Sequence, residues 1–204
     1  RSYVLAGAIK IYRQRRDPVR YKPQALKHHT MLIHTSSRRG VHASLAERVQ
    51  DLWDECAFNS PVGVGELREL WDSDYLPVCK AQGKGELRPS SFNELKPHLA
   101  AAVQRITRDP HLVRVVNSDK DEAPDFTHGP VWKIVVGGNK LSRGYTVEGL
   151  TVSYYRRVAN TADTLMQMGR WFGFRPGYRD LVRVFLGVKE GKKQSLDLVE
   201  LFKE

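Results

Sequence analysis

The sequence predicts an α/β fold: a mainly parallel sheet flanked by helices, with a largely helical insertion. Three observations carry that expectation. Short apolar runs at Met31 to His34, Leu112 to Val116, Trp132 to Val136, Thr151 to Tyr155 and Leu181 to Leu186 end in polar or glycine residues, as strands do. Between them lie stretches whose apolar residues recur at helical spacing, the alternation expected of a layered α/β domain. Trp132 to Val136 is almost continuously apolar, which suits a central parallel strand covered on both faces.

The chain opens at Arg1, with no initiator methionine, in a helix expected from Ser2 to about Arg15 on the spacing of Val4, Leu5, Ala8, Ile9 and Tyr12. A helix already under way reads as the start of an excised fragment. Asp17 to Pro23 holds Pro18, Pro23 and several charges, which suits a linker. Residues 1–24 are therefore assigned to an N-terminal helix and linker, and residues 25–204 to the α/β domain.

Met31 to His34 is followed by Thr35, Ser36 and Ser37, then by a helix from about Ala43 to Cys56 with Leu45, Val49, Leu52 and Trp53 on one face. Strand, polar turn and helix form half of a βαβ unit, and ligands bind at the carboxyl ends of strands in open parallel sheets. Such hydroxyl residues also serve as plain helix caps. Residues 57–104, punctuated by Gly63, Gly65, Gly83 and Gly85, read as the insertion, with helices near Glu66 to Asp72 and Ser91 to Arg105. It would supply either a specificity surface or padding along one edge of the sheet. Lys120 to Thr127 reads as a charged loop.

After the central strand comes Gly137-Gly138-Asn139-Lys140-Leu141-Ser142, which lacks both the glycine before lysine and the loop length of a phosphate-binding P-loop. Ala162 to Trp171 is expected to be a helix with Leu165, Met168 and Trp171 buried. Gln167 and Arg170 then share its other face, and Arg175 follows in a glycine-bounded turn. A basic turn at Lys189 to Lys193 precedes a short terminal helix.

The formal charge is +10, from 33 Lys and Arg against 23 Asp and Glu. An excess of this size favours a polyanionic partner, because each neutralised phosphate releases counterions, although a solvated basic surface is the plain alternative. Arg13, Arg15, Arg16 and Arg20 cluster near the start, and Arg38 and Arg39 follow a strand end, so nucleic acid is the favoured partner. No apolar run approaches the roughly 20 residues of a membrane span, and the expectation is a soluble, cytoplasmic chain. Cys56 and Cys79 have no Cys or His at zinc-ligand spacing and read as reduced thiols, with no metal site.

Three blocks carry a family resemblance: Met31-Leu32-Ile33-His34-Thr35-Ser36, then Leu141 to Leu150, then Leu165 to Tyr178 with its Gln167-Met168-Gly169-Arg170 and Arg175. They resemble the Z-one (Z1) domain, a helicase-associated domain of bacterial and phage proteins often labelled endonucleases. They also resemble motifs IV, V and VI of superfamily-two helicases. The resemblance implies a C-terminal RecA-like lobe in which Ser142, Arg143 and Gly144, together with Gly169, face the nucleotide. It implies nucleic-acid contacts, with DNA favoured, from Thr35, Ser36, Arg38, Arg39, Gly138, Asn139, Lys140 and Thr146. Gln167, Arg170 and Arg175 would be the catalytic group, one arginine acting as a finger on the transferring phosphate. Here the two arginines are five apart where the usual motif has three, and the glutamine stands two residues before Gly169 where the usual motif has three, which leaves either arginine open as the finger.

The sequence has no Walker A element and no acidic tetrad for magnesium. ATP and magnesium are therefore expected only with an N-terminal RecA-like lobe of a larger DNA-processing, restriction or phage-defence protein, the fragment alone being inactive. Two other classes stay open. One is a metal-dependent endonuclease using Asp125, Glu190 and Lys192; the other is a catalytically silent nucleic-acid-binding or assembly module.

Overall fold

The computed structural model describes residues 1–34, 39–83, 85–116, 123–137, 147–155 and 176–186, the side chains of residues 39–41 excepted. In chain order run α1 (Ser2–Arg16), β1 (His29–His34), α2 (Arg39–Glu55), α3 (Pro61–Leu70), a π-helical turn (Trp71–Tyr75), α4 (Leu76–Gln82) and α5 (Phe92–Thr107). Then come β2 (Val113–Val116), β3 (Trp132–Gly137), β4 (Leu150–Tyr155), a 3-10 turn (Arg179–Leu181) and β5 (Arg183–Leu186). The strands form one sheet in the order β2-β3-β1-β4-β5, and every neighbouring pair is parallel. All five expected strands are present. β1 begins earlier than its apolar run because the His29 amide donates to Val131 O at 2.7 Å, and β5 begins later because Leu181 closes the 3-10 turn.

Side-chain alternation divides the sheet into two packed faces. Ile33, Ile134, Val136 and Val152 point to one face, beneath residues of all five helices. Leu32, Val116, Val135 and Tyr155 point to the other, where Val147, Ala123 and Phe126 join them. β3 is buried at every residue, the continuous pattern of a strand covered twice.

The N-terminal segment departs from expectation. From Ser2 to Arg13, α1 is buried around its whole circumference, which places it inside the core, where a surface helix would bury one stripe. It packs against α5, β1 and β4. Contact with the sheet is close at Gly7, where a Cβ would stand 2.9 Å from Trp132 Cζ3 and 3.0 Å from His29 Nε2. Tyr21, in the stretch expected to be a linker, is buried as well; its hydroxyl donates to Glu86 and accepts from the Leu87 amide. The α/β unit starts with α1.

The helical insertion has local causes. Ser60 caps α3 by accepting from the Gly63 amide at 3.0 Å, with Pro61 as the first helical residue, and Ser91 caps α5 by accepting from the Glu94 amide. Its Leu67, Trp71, Tyr75, Leu95 and Ala102 are fully buried, so the segment covers a face of the sheet.

Candidate functional site

Because all five strands are parallel, their carboxyl ends line one edge of the sheet: Val116, Gly137, His34, Tyr155 and Leu186 in spatial order. The chain winds from β1 toward β2 on one side and from β4 toward β5 on the other. The neighbours β1 and β4 therefore flank a reversal of winding, and open α/β sheets bind ligands in the crevice outside such a point. Its described floor is His34 stacked on Tyr155, with ring centroids 5.0 Å apart and planes 12° apart, both side chains buried.

A second feature lies just before the amino end of β5. Residues 176–181, joined directly to Arg175, are pinned to α1. Arg13 donates from Nη1 to Asp180 Oδ1 at 2.9 Å and from Nη2 to Oδ2 at 2.6 Å, the two-pronged geometry that suits a planar guanidinium. The same guanidinium donates to Gly177 O at 2.9 Å and to Leu87 O at 2.7 Å. One turn earlier, Lys10 Nζ donates to His28 O at 2.6 Å and lies 4.0 Å from the centre of the Tyr178 ring. Both members of the Arg13–Asp180 pair are essentially sealed from solvent, at 0% and 1% exposure. Beside it, burial and then Asp180 push the Cys79 thiol up to about 12, so it stays protonated.

This corrects one expectation. Arg13 was grouped with Arg15, Arg16 and Arg20 as a basic cluster for a polyanion, yet its charge is neutralised inside the core. Arg15, Arg16 and Arg20 do stay exposed.

The family comparison covers the molecule from end to end: the model of the Z1 domain matches residues 1–204. The chain belongs to the Z1 domain family. No curated protein and no solved structure matches it.

Of the residues expected to form the Z1 site, Arg39 begins α2, with its side chain outside the described residues. Thr35, Ser36, Arg38, Gly138, Asn139, Lys140, Ser142, Arg143, Gly144, Thr146, Gln167, Gly169, Arg170 and Arg175 lie outside them altogether. Connectivity nonetheless relates them. The segment with Thr35 and Ser36 continues from β1, that from Gly138 to Thr146 continues from β3, and Gln167 to Arg175 belong to the connection from β4 to β5.

The expected endonuclease carboxylate, Asp125, is committed locally. It accepts from the Thr127 hydroxyl at 2.6 Å, from the Thr127 amide at 2.8 Å and from His128 Nδ1 at 2.5 Å. The Thr127 hydroxyl foremost, with His128 and the Thr127 amide, holds this exposed carboxyl well below the usual range. Glu190 and Lys192 lie outside the described residues. Among the described residues no group of three or more His, Cys, Asp and Glu could hold a metal ion, and no helix is long and apolar enough to cross a membrane.

Sequence reasoning missed the Arg13–Asp180 anchor and the His34–Tyr155 floor. Arg13 and Asp180 are 167 positions apart, and no local pattern marks either as buried. The floor had a signal in the aromatic ends of two strands, which becomes meaningful once β1 and β4 are known to be neighbours.

Proposed function

We propose that this Z1 domain is the second, C-terminal RecA-like lobe of a nucleic-acid-dependent, superfamily-two helicase-like ATPase, within a larger DNA-processing, restriction or phage-defence protein. The observation that supports the reading is the all-parallel sheet, in which Thr35 and Ser36 directly follow the carboxyl end of β1 and Gly138 to Lys140 that of β3, beside the winding reversal of β1 and β4.

The residues at that edge end in backbone, apolar groups, His34 and Tyr155, with no carboxylate among the five strand-terminal residues. This donor chemistry fits a lobe that presents amides and arginines to phosphate and leaves magnesium to carboxylates elsewhere. ATP and magnesium would therefore be held between this lobe and its N-terminal counterpart, where bound ATP supplies the transferable phosphoryl group. In this lobe Ser142, Arg143, Gly144 and Gly169 would line the nucleotide. Gln167 would orient groups beside it, and Arg170 or Arg175 would stabilise charge on the transferring phosphate. Thr35, Ser36, Arg38, Arg39, Gly138, Asn139, Lys140 and Thr146 would face the DNA backbone.

The test uses the longer parent protein. Because a finger acts mainly in the transition state, Arg170→Ala or Arg175→Ala should lower the maximal ATPase rate by about 10³ while DNA binding persists, and lysine should rescue poorly. Parental turnover in both alanine variants would overturn the assignment and leave the silent module as the better account.

A further inference from the structure

A cleft on the opposite edge, at the amino ends of β1, β2 and β3, encloses about 1290 Å³. One wall is the end of α5 with Arg105 and Arg108, and the other runs from Ala123 to Lys133. Pro18 to Lys27 closes one end, with Gln14 of α1. This space exceeds the roughly 300–1,000 Å³ of a small-molecule pocket.

Its charge is unbalanced. Lys27, Arg105, Arg108, Arg114 and Lys133 line it, against Asp109 and Asp125. Asp109 already serves two of these cations, Arg114 at 3.1 Å and Lys133 at 3.3 Å, and Asp125 is held by His128. Among the described residues, Lys27, Arg105 and Arg108 have no carboxylate partner. Arg105 is braced, with its guanidinium carbon 5.3 Å from the centre of the Trp132 ring and Nη1 donating to Gln14 at 3.4 Å. Burial, and then the neighbouring Arg15, lower its affinity for the proton.

We propose that this amino-edge cleft is a second nucleic-acid site, taking the sugar-phosphate backbone of a strand on Lys27, Arg105 and Arg108. A backbone is the occupant that suits it: three unneutralised cations on two sides of an open, oversized groove match a repeating anion better than a single compact one. The cleft lies at the amino edge, at the opposite end of the strands from His34 and Gly137, where β1 and β3 end. The inference rests on the reading of this chain as a nucleic-acid-handling domain.

The test is fluorescence anisotropy of a labelled single-stranded oligonucleotide titrated with the 204-residue chain over a range of salt. Arg105→Glu/Arg108→Glu should weaken binding at least tenfold at about 50 mM salt. It should also reduce the slope of log affinity against log salt by about 1.4, the value for two single-strand phosphate contacts. Lys27→Glu, on a different segment, should act in the same direction and guards against a folding defect in the double variant, which melting temperatures will show. Lys80→Glu/Lys96→Glu changes the net charge equally at exposed positions outside the cleft and should weaken binding less than threefold. Equal losses in the two double variants would overturn the cleft while sparing the nucleic-acid reading. Absence of binding by the unaltered chain would overturn both.

Discussion

Removal of the Asp180 carboxylate tests the anchor between α1 and the segment beyond Arg175. In Asp180→Asn the shape is nearly kept, but Arg13 retains its charge with only the Gly177 and Leu87 carbonyls and one amide oxygen as partners. The pair is sealed from solvent, so the unpaired guanidinium has no water to replace what it loses. Breaking a buried pair from one side costs about 3–5 kcal/mol, and the retained acceptor places Asp180→Asn near the lower end, about 3 kcal/mol. For a chain of this length that is a fall in Tm of about 6–12 °C. The assay is urea and thermal unfolding followed by circular dichroism, with Arg20→Ala as an internal contrast. Arg20 and Glu86 are 3.5 Å apart, with Arg20 47% exposed, and such a surface pair should cost less than about 1 kcal/mol. Arg13→Met/Asp180→Leu, which removes both charges, should lose less than the sum of its two single variants. If Asp180→Asn costs no more than Arg20→Ala, the reasoning about burial is wrong.

Stability should fall as the solution is acidified below about pH 6.5. Burial, and then nearby Lys10, hold the His29 imidazole well below its ordinary value. The neutral ring donates from Nε2 to Tyr3 O at 2.8 Å and lies stacked on the Tyr3 ring at 4.3 Å. The unfolded chain takes up a proton below about 6.5 that the folded chain refuses, so stability is complete above that pH and declines by up to about 1.4 kcal/mol per unit below it. His29→Gln should flatten the decline in urea midpoints between pH 7.5 and 5.5, and an unchanged slope would exclude His29 as its source. Gly149→Ala should cost more than about 2 kcal/mol, since Gly149 has φ +68° and a Cβ there would stand 2.3 Å from the His28 carbonyl carbon and oxygen. Gly65→Ala, on α3 with nothing within 4 Å, should instead stabilise the chain by about 0.5–1 kcal/mol, and urea midpoints of the two variants check both signs.

The sequence by itself determined the strands, their parallel class and the family. Apolar runs such as Ile134 to Val136 act over a few residues, so their consequences can be read in order along the chain, whereas the Ser60 cap, which starts α3 at Pro61 ahead of the helix expected near Glu66 to Asp72, was not read. The motif blocks were legible in the same way as candidates for chemistry. The tertiary structure decided the order of the strands: β2-β3-β1-β4-β5 makes β1 and β4 neighbours although 115 residues separate their ends, His34 and Leu150, in the chain. It also decided the fate of the charges. Arg13 looked like its neighbours Arg15 and Arg16, but the turn of α1 that carries it faces Asp180, so one arginine holds the core while the others stay in water. The amino-edge cleft arises in the same manner, from the convergence of α5, the 123–133 segment and Pro18 to Lys27. Burial and charge pairing depend on what lies across space, and no periodicity within a single segment encodes that partner.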